Sequence, residues 1–154
     1  MSVGDLESIV ADFAAGLKAA DSRRPHAVNA RSGQPYSPGI GPHTEVQTIR
    51  LVVDELLVAY GPRYTGQISL EVPYPAAPRS KCDLCLGQPP DWDWAIEVKM
   101  LRLMGDNGKP NDNILMHLLS PYAQHRSALT DCTKLLNSGL RGRKAILIYG
   151  YDYD

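Results

Sequence analysis

The chain is short of cysteine and histidine, holds one phenylalanine, contains no long apolar run and carries almost no net charge. Each shortage excludes something. Three cysteines in 154 residues are too few, and odd in number, for a secreted disulfide scaffold, so a reducing cytoplasm is the expected setting. The four histidines, at 26, 43, 117 and 125, show neither HxH nor HExxH spacing, which excludes a histidine-built metal site. No stretch of 18 apolar residues occurs, so no membrane-spanning helix is expected. The opening MSVGDLESIVADF lacks a basic segment followed by an apolar one, and no secretory signal is read there. With 16 Lys+Arg against 17 Asp+Glu, the net charge is -1. That excludes coating of a polyanion by bulk charge, but it leaves room for a local basic face around acidic groups. What is present, 44% hydrophobic and 21% charged residues in 16.9 kDa, suits one globular domain with a packed core.

Leu6, Ile9, Val10, Phe13 and Leu17 recur at helical spacing and predict an amphipathic helix over residues 5–20. Residues 21–43 hold seven Gly or Pro in 23 positions and read as a long loop. Thr44-x-x-Gln47 has the form of a capping box. A helix follows through Val46, Ile49, Val53, Leu56, Leu57 and Tyr60, with Gly61-Pro62 as its expected end. Glu45 borders its buried face. Three strands are expected next, at Gln67–Pro73, Ser80–Leu86 and Trp92–Met100, with prolines 73, 75 and 78 marking a turn or an edge. Residues 104–113 are a polar loop. Ser120-Pro121 predicts a helix start, Tyr122, Leu129, Cys132, Leu135 and Leu136 its apolar stripe, and Asn137-Ser138-Gly139 its stop. Ala145–Tyr149 is a buried strand. The order predicts an α/β fold with a mixed sheet.

Two of the strands carry ionisable groups on one face. Side chains alternate along a strand, so Lys81, Asp83 and Cys85 share one face of the second. Asp93, Ala95, Glu97 and Lys99 share one face of the third. Paired as a hairpin, these strands bring Asp83, Glu97 and Lys99 together. Metal-assisted hydrolysis needs such a cluster. Two carboxylates hold Mg²⁺, with Mn²⁺ as a substitute, and the ion polarises a phosphoryl oxygen and acidifies water. The lysine stabilises developing charge or orients water. Glu45 can add a third carboxylate, and the backbone carbonyl of Val98 a further ligand. The competing reading is a solvated face of a one-sided antiparallel sheet, which gives the same alternation.

Asp83, followed after thirteen residues by Glu97-x-Lys99, resembles the PD-(D/E)xK nuclease superfamily. The proline that often precedes the aspartate there is absent, since Lys81-Cys82 stand before Asp83. Asp131-x-x-Lys134-Leu135 is similar to a second-helix pattern of some branches. The resemblance covers residues 44–150 and implies a restriction-endonuclease-like αβββαβ core, a mixed central sheet flanked by helices. Residues 1–43 add an extra N-terminal helix and the long loop to the same domain. It implies a Mg²⁺-dependent nuclease, with DNA the expected substrate and a homodimer a natural way to cut both strands. The alternative is a nuclease-fold module that binds nucleic acid or protein and no longer cuts.

Arg79, Lys81, Arg102, Lys109 and Arg143, with Arg141 and Lys144, fall before, between and after the acidic strands, and the first five are the expected phosphate contacts. Gln124 is read as a further contact to the metal site or the nucleic acid, with His125 beside it. Cys82-x-x-Cys85 has zinc spacing, but on a regular strand the two thiols face opposite sides, so both read as small buried hydrophobes. Cys132 and His125, seven apart on one expected helix, lie too far apart for a nucleophile and its base. Trp92 and Trp94 read as core, at least one of them.

Overall fold

The computed structural model describes residues 3–104 and 109–151. Residues 105–108 of the expected polar loop lie outside the described residues. The chain divides into two units, Gly4–Thr65 and a second formed by Met1–Val3 with Gly66–Asp154. The boundary between the two units lies just after the second helix.

The first unit contains α1 (Leu6–Ser22) and α2 (Glu45–Tyr64). Asp5 caps α1 by accepting the Ser8 N–H at 2.8 Å. Thr44 and Gln47 form the expected capping box, in which the Thr44 N–H donates to Gln47 Oε1 at 2.9 Å. The predicted stop at Gly61-Pro62 is not where α2 ends. Tyr60 leaves helical geometry (φ −130°, ψ 35°) and the chain continues helically to Tyr64. Pro62 has no N–H and its ring crowds the carbonyl four residues back, so the helix breaks before it and restarts. Asp12, 8% exposed, anchors this last turn, accepting from the Tyr64 hydroxyl at 2.8 Å and from Arg63 at 2.5 Å. Gly16 faces Val52: a Cβ there would lie 2.9 Å from the valine methyl, so the glycine allows the two helices their close approach.

The second unit is a four-stranded mixed sheet in the order β1 (Ile68–Tyr74), β2 (Ala77–Gly87), β3 (Asp91–Arg102), β4 (Arg141–Tyr151). The first three strands form an antiparallel meander, and β4 joins β3 in parallel. Parallel strands need a crossover. It runs through α3 (Ile114–Leu119), a 3₁₀ turn at Ala123–His125 and α4 (Ala128–Leu136). The expected helix start at Ser120-Pro121 is corrected here. Ser120 ends α3, and Ser127 caps α4 by accepting the Thr130 N–H at 3.2 Å. His125 and Cys132 therefore belong to different elements. Pro73 lies in β1, an edge strand of this sheet, where a missing donor is tolerated.

Leu135 of α4 packs on Tyr74, Cys82, Cys85, Trp92, Ala95 and Leu140. Trp92 and Trp94 are both buried. Gly142, at φ +108°, carries the chain past Trp92, where a Cβ would fall 2.0 Å from the Trp92 carbonyl oxygen. The β3–β4 register shifts at this point, between Asp91 and Trp94.

Candidate active site on the sheet

The last regular pair at one end of the β2–β3 ladder is Leu84 with Ile96. Carried one step further, that register would set Asp83 opposite Glu97 on one face of adjacent strands. The ladder stops there, and Asp83 Oδ2 instead accepts the Val98 N–H at 2.8 Å. On its other side β1 keeps one register past Asp83, the shift falling further on between Pro73 and Tyr74. Pairing passes from Leu70–Leu84 to Val72–Cys82, and Glu71 between them has φ +51°. Asp83 thus occupies a distorted point of the sheet, a usual way to re-aim a side chain.

Glu97 is 3% exposed. A solvated sheet face is excluded for it. The face that carries Glu97 and Lys99 is instead met by the helix of the crossover. Lys99 Nζ lies 2.7 Å from Asp131 Oδ2 and donates to the Arg126 carbonyl at 3.0 Å. Lys134 Nζ lies 2.8 Å from the other oxygen, Asp131 Oδ1. One buried carboxylate thus bridges two ammonium groups, and Asp131 and Lys134, three apart on α4, present themselves on one helix face.

The charges interact with the acid pair. Burial pushes the Asp83 carboxyl up, the Val98 N–H pulls it back, Asp131 repels it upward again, and Lys99 and Lys134 oppose that; the net direction is up. For Lys134, burial pulls downward. The hydrogen bond to Asp131 and the charges of Asp131, Glu97 and Asp83 outweigh it, so the ammonium is raised. Asp83, Glu97, Lys99, Asp131 and Lys134 are therefore one electrostatic cluster.

The donor chemistry of this cluster suits a hard cation. Asp83 and Glu97 offer carboxylate oxygens, and the charge of Asp83 is opposed by burial and by Asp131, an opposition that a divalent ion relieves. Mg²⁺ is held through one or two carboxylates and water. Among the described residues, no three His, Cys, Asp or Glu side chains gather as a metal-binding group. Glu45, the expected third acid, is half-buried at the first turn of α2 in the first unit.

The expected nucleic-acid contacts are scattered. Arg79 and Lys81 are exposed on β2, Lys81 lying 3.7 Å from Glu71. Arg102 is half-buried at the end of β3, and Lys109 is exposed. Gln124 is exposed in the 3₁₀ turn. Arg143 stacks on Trp94, 4.1 Å from the ring centre, and donates to the Asp93 carbonyl at 3.2 Å. Arg126, which the sequence reading passed over, touches the cluster through its carbonyl.

The reading that Cys82 and Cys85 face opposite sides is corrected. Both belong to one buried cluster, and a thiol hydrogen bond between them, ahead of burial, pushes Cys85 up. Cys82 is completely buried and also donates to the Ile96 carbonyl at 3.4 Å. The end of the β2–β3 ladder at Asp83, with Glu71 at positive φ beside it, upsets the regular alternation of a strand. Comparison with protein-family models, with curated proteins and with solved structures gives no match.

Proposed function

We propose that the protein is a metal-dependent nuclease of the PD-(D/E)xK type on a restriction-endonuclease-like core. One observation carries the reading. Glu97 is 3% exposed, and the charges of Glu97 and Asp83 both act on the Lys134 ammonium, with Lys99 acting on Asp83 as well. A charge withdrawn from water without a function costs several kcal/mol unless paired. The antiparallel meander followed by a helical crossover to a parallel strand supports the αβββαβ core that the resemblance implies.

In this reading Asp83, Glu97 and the Val98 carbonyl would hold Mg²⁺, or Mn²⁺ in its place. The ion supplies Lewis acidity and a more acidic water. Asp83 is oriented by the Val98 N–H. Lys99 and Lys134 place positive charge where a phosphodiester gains negative charge in the transition state. Asp131 fixes both ammonium groups. DNA is the proposed substrate, on the resemblance alone.

Lys99 supports a second reading, the module that binds but does not cut. Its ammonium is already engaged by Asp131 and the Arg126 carbonyl. Incubation of the protein with supercoiled plasmid and with labelled single strands, in Mg²⁺, Mn²⁺ or EDTA, separates the two. The nuclease reading expects metal-dependent cleavage, lost in Asp83→Ala and Glu97→Ala with the fold retained. Binding without cleavage by the wild type supports the module.

A further inference from the structure

Along α4 lies an open groove of about 240 Å³, lined by Pro121, Ala123, Arg126, Thr130, Asp131 and Lys134 among others. Two of its walls belong to the cluster already described. Asp131 is the carboxylate between Lys99 and Lys134, at 2.7 and 2.8 Å. The cluster's three carboxylates, Asp83, Glu97 and Asp131, are met by Lys99 and Lys134, and the exposed Arg126 adds a third cation at the groove. Lys134, half exposed, directs one bond to Asp131. An ammonium has three donors, so two remain for a ligand.

Arg126 holds a backbone conformation that a side-chain-bearing residue adopts at a cost. Its φ is +47° and ψ +45°. Such an outlier of about 1–3 kcal/mol points to a function that the surroundings maintain. The surroundings do so here. Ser120 Oγ and His125 Nδ1 are 2.6 Å apart, and the Ser127 hydroxyl donates to the Ser120 carbonyl at 2.5 Å. The loop is stapled on both sides of Arg126, whose carbonyl receives Lys99. One residue thus fixes the buried ammonium with its backbone and also lines the groove. Pro121 and Ala123 give the groove an apolar wall, suited to a sugar or the edge of a base.

We propose that this groove binds the phosphodiester backbone of a nucleic-acid strand, with the Arg126 guanidinium and the Lys134 ammonium on its phosphate oxygens. The proposal deepens the nuclease reading by placing the strand beside Asp83 and Glu97, and it is tested apart from cleavage.

The test is fluorescence anisotropy of a labelled single-stranded DNA oligonucleotide in EDTA, across a salt series. Arg126→Asn removes the guanidinium and keeps a residue that tolerates the left-handed region. Lys134→Met keeps the stem and removes the charge. Lys18→Ala, on an exposed face of α1, is the control. Circular dichroism checks the fold of each. Each groove variant is expected to weaken binding about tenfold and to flatten the slope of log K against log salt by about 0.7. Affinity and slope unchanged in both variants, or a wild type that binds no strand, overturn the proposal. Binding that depends on Arg126 and Lys134 in a protein that cuts nothing with Mn²⁺ upholds the groove and removes the nuclease reading. Cleavage by the wild type with binding untouched in both variants does the reverse.

Discussion

Lys99 Nζ of β3 lies 2.7 Å from Asp131 Oδ2 of α4, with the two side chains 14% and 6% exposed. This pair ties the central strand of the proposed site to the crossover helix. The direction of the Lys99 ammonium is set from α4 as much as from its own strand. An ion pair so far from water is a net cost or gain according to its hydrogen bonds. Here Lys134 and the Arg126 carbonyl supply them.

Removing Asp131 takes away the carboxylate that Lys99 pairs with at 2.7 Å. Asp131→Ala is expected to lower the unfolding free energy by about 3–5 kcal/mol, the range for breaking a buried pair from one side. Urea unfolding followed by circular dichroism measures it. A loss within the small range of surface substitutions contradicts the assigned network.

Asp83 gives a pH dependence whose sign is definite. Its carboxyl is raised above the ordinary 3.8, so the fold favours its protonated form. The folded state then loses stability as pH rises from the unfolded value through the raised one, and the deficit persists above it. Asp83→Asn lacks this deficit and retains an acceptor for the Val98 N–H. In EDTA the variant is expected to unfold at a higher temperature than the wild type at pH 7, with the gap closing as pH falls below about 4. A wild type that gains stability over this window relative to the variant refutes the direction.

Lys99→Met keeps the apolar stem and removes the charge. Under the nuclease reading, cleavage is expected to fall about 100-fold or more. Mn²⁺ binding remains, because the lysine holds no ion. Single-turnover cleavage and Mn²⁺ titration of the same variant read the two effects. An unchanged cleavage rate removes Lys99 from the proposed chemistry.

Gly142→Ala tests the register of the sheet. The added methyl would meet the Trp92 carbonyl oxygen at 2.0 Å in a backbone at φ +108°. A destabilisation of more than about 1 kcal/mol is expected from the backbone strain alone, and thermal melting measures it.

Much of this architecture is written in local pattern. The Thr44–Gln47 box, the apolar stripe of α2 and the three strands that follow it are readable from local motifs and from periods of 3.6 and 2. What escaped reading depends on backbone irregularity or on distant neighbours. Glu71 takes a positive φ without being glycine, so the break at Asp83 and the shared burial of Cys82 and Cys85 have no signal in sequence. Arg126 is a second such case. Ser120-Pro121 imitates a helix start because the local pattern is the same. Ser127, seven residues later, is the actual cap, as its bonds to the Thr130 N–H and the Ser120 carbonyl show. The Asp131–Lys134 pair is visible as an i, i+3 spacing, but its link to Lys99 is tertiary.

The most direct measurement is calorimetric titration of Mn²⁺ into the wild type, Asp83→Asn and Glu97→Gln. A saturable site is expected in the wild type, lost or weakened at least about tenfold in both variants, each still folded. Equal Mn²⁺ binding in all three proteins, or none in the wild type, contradicts it.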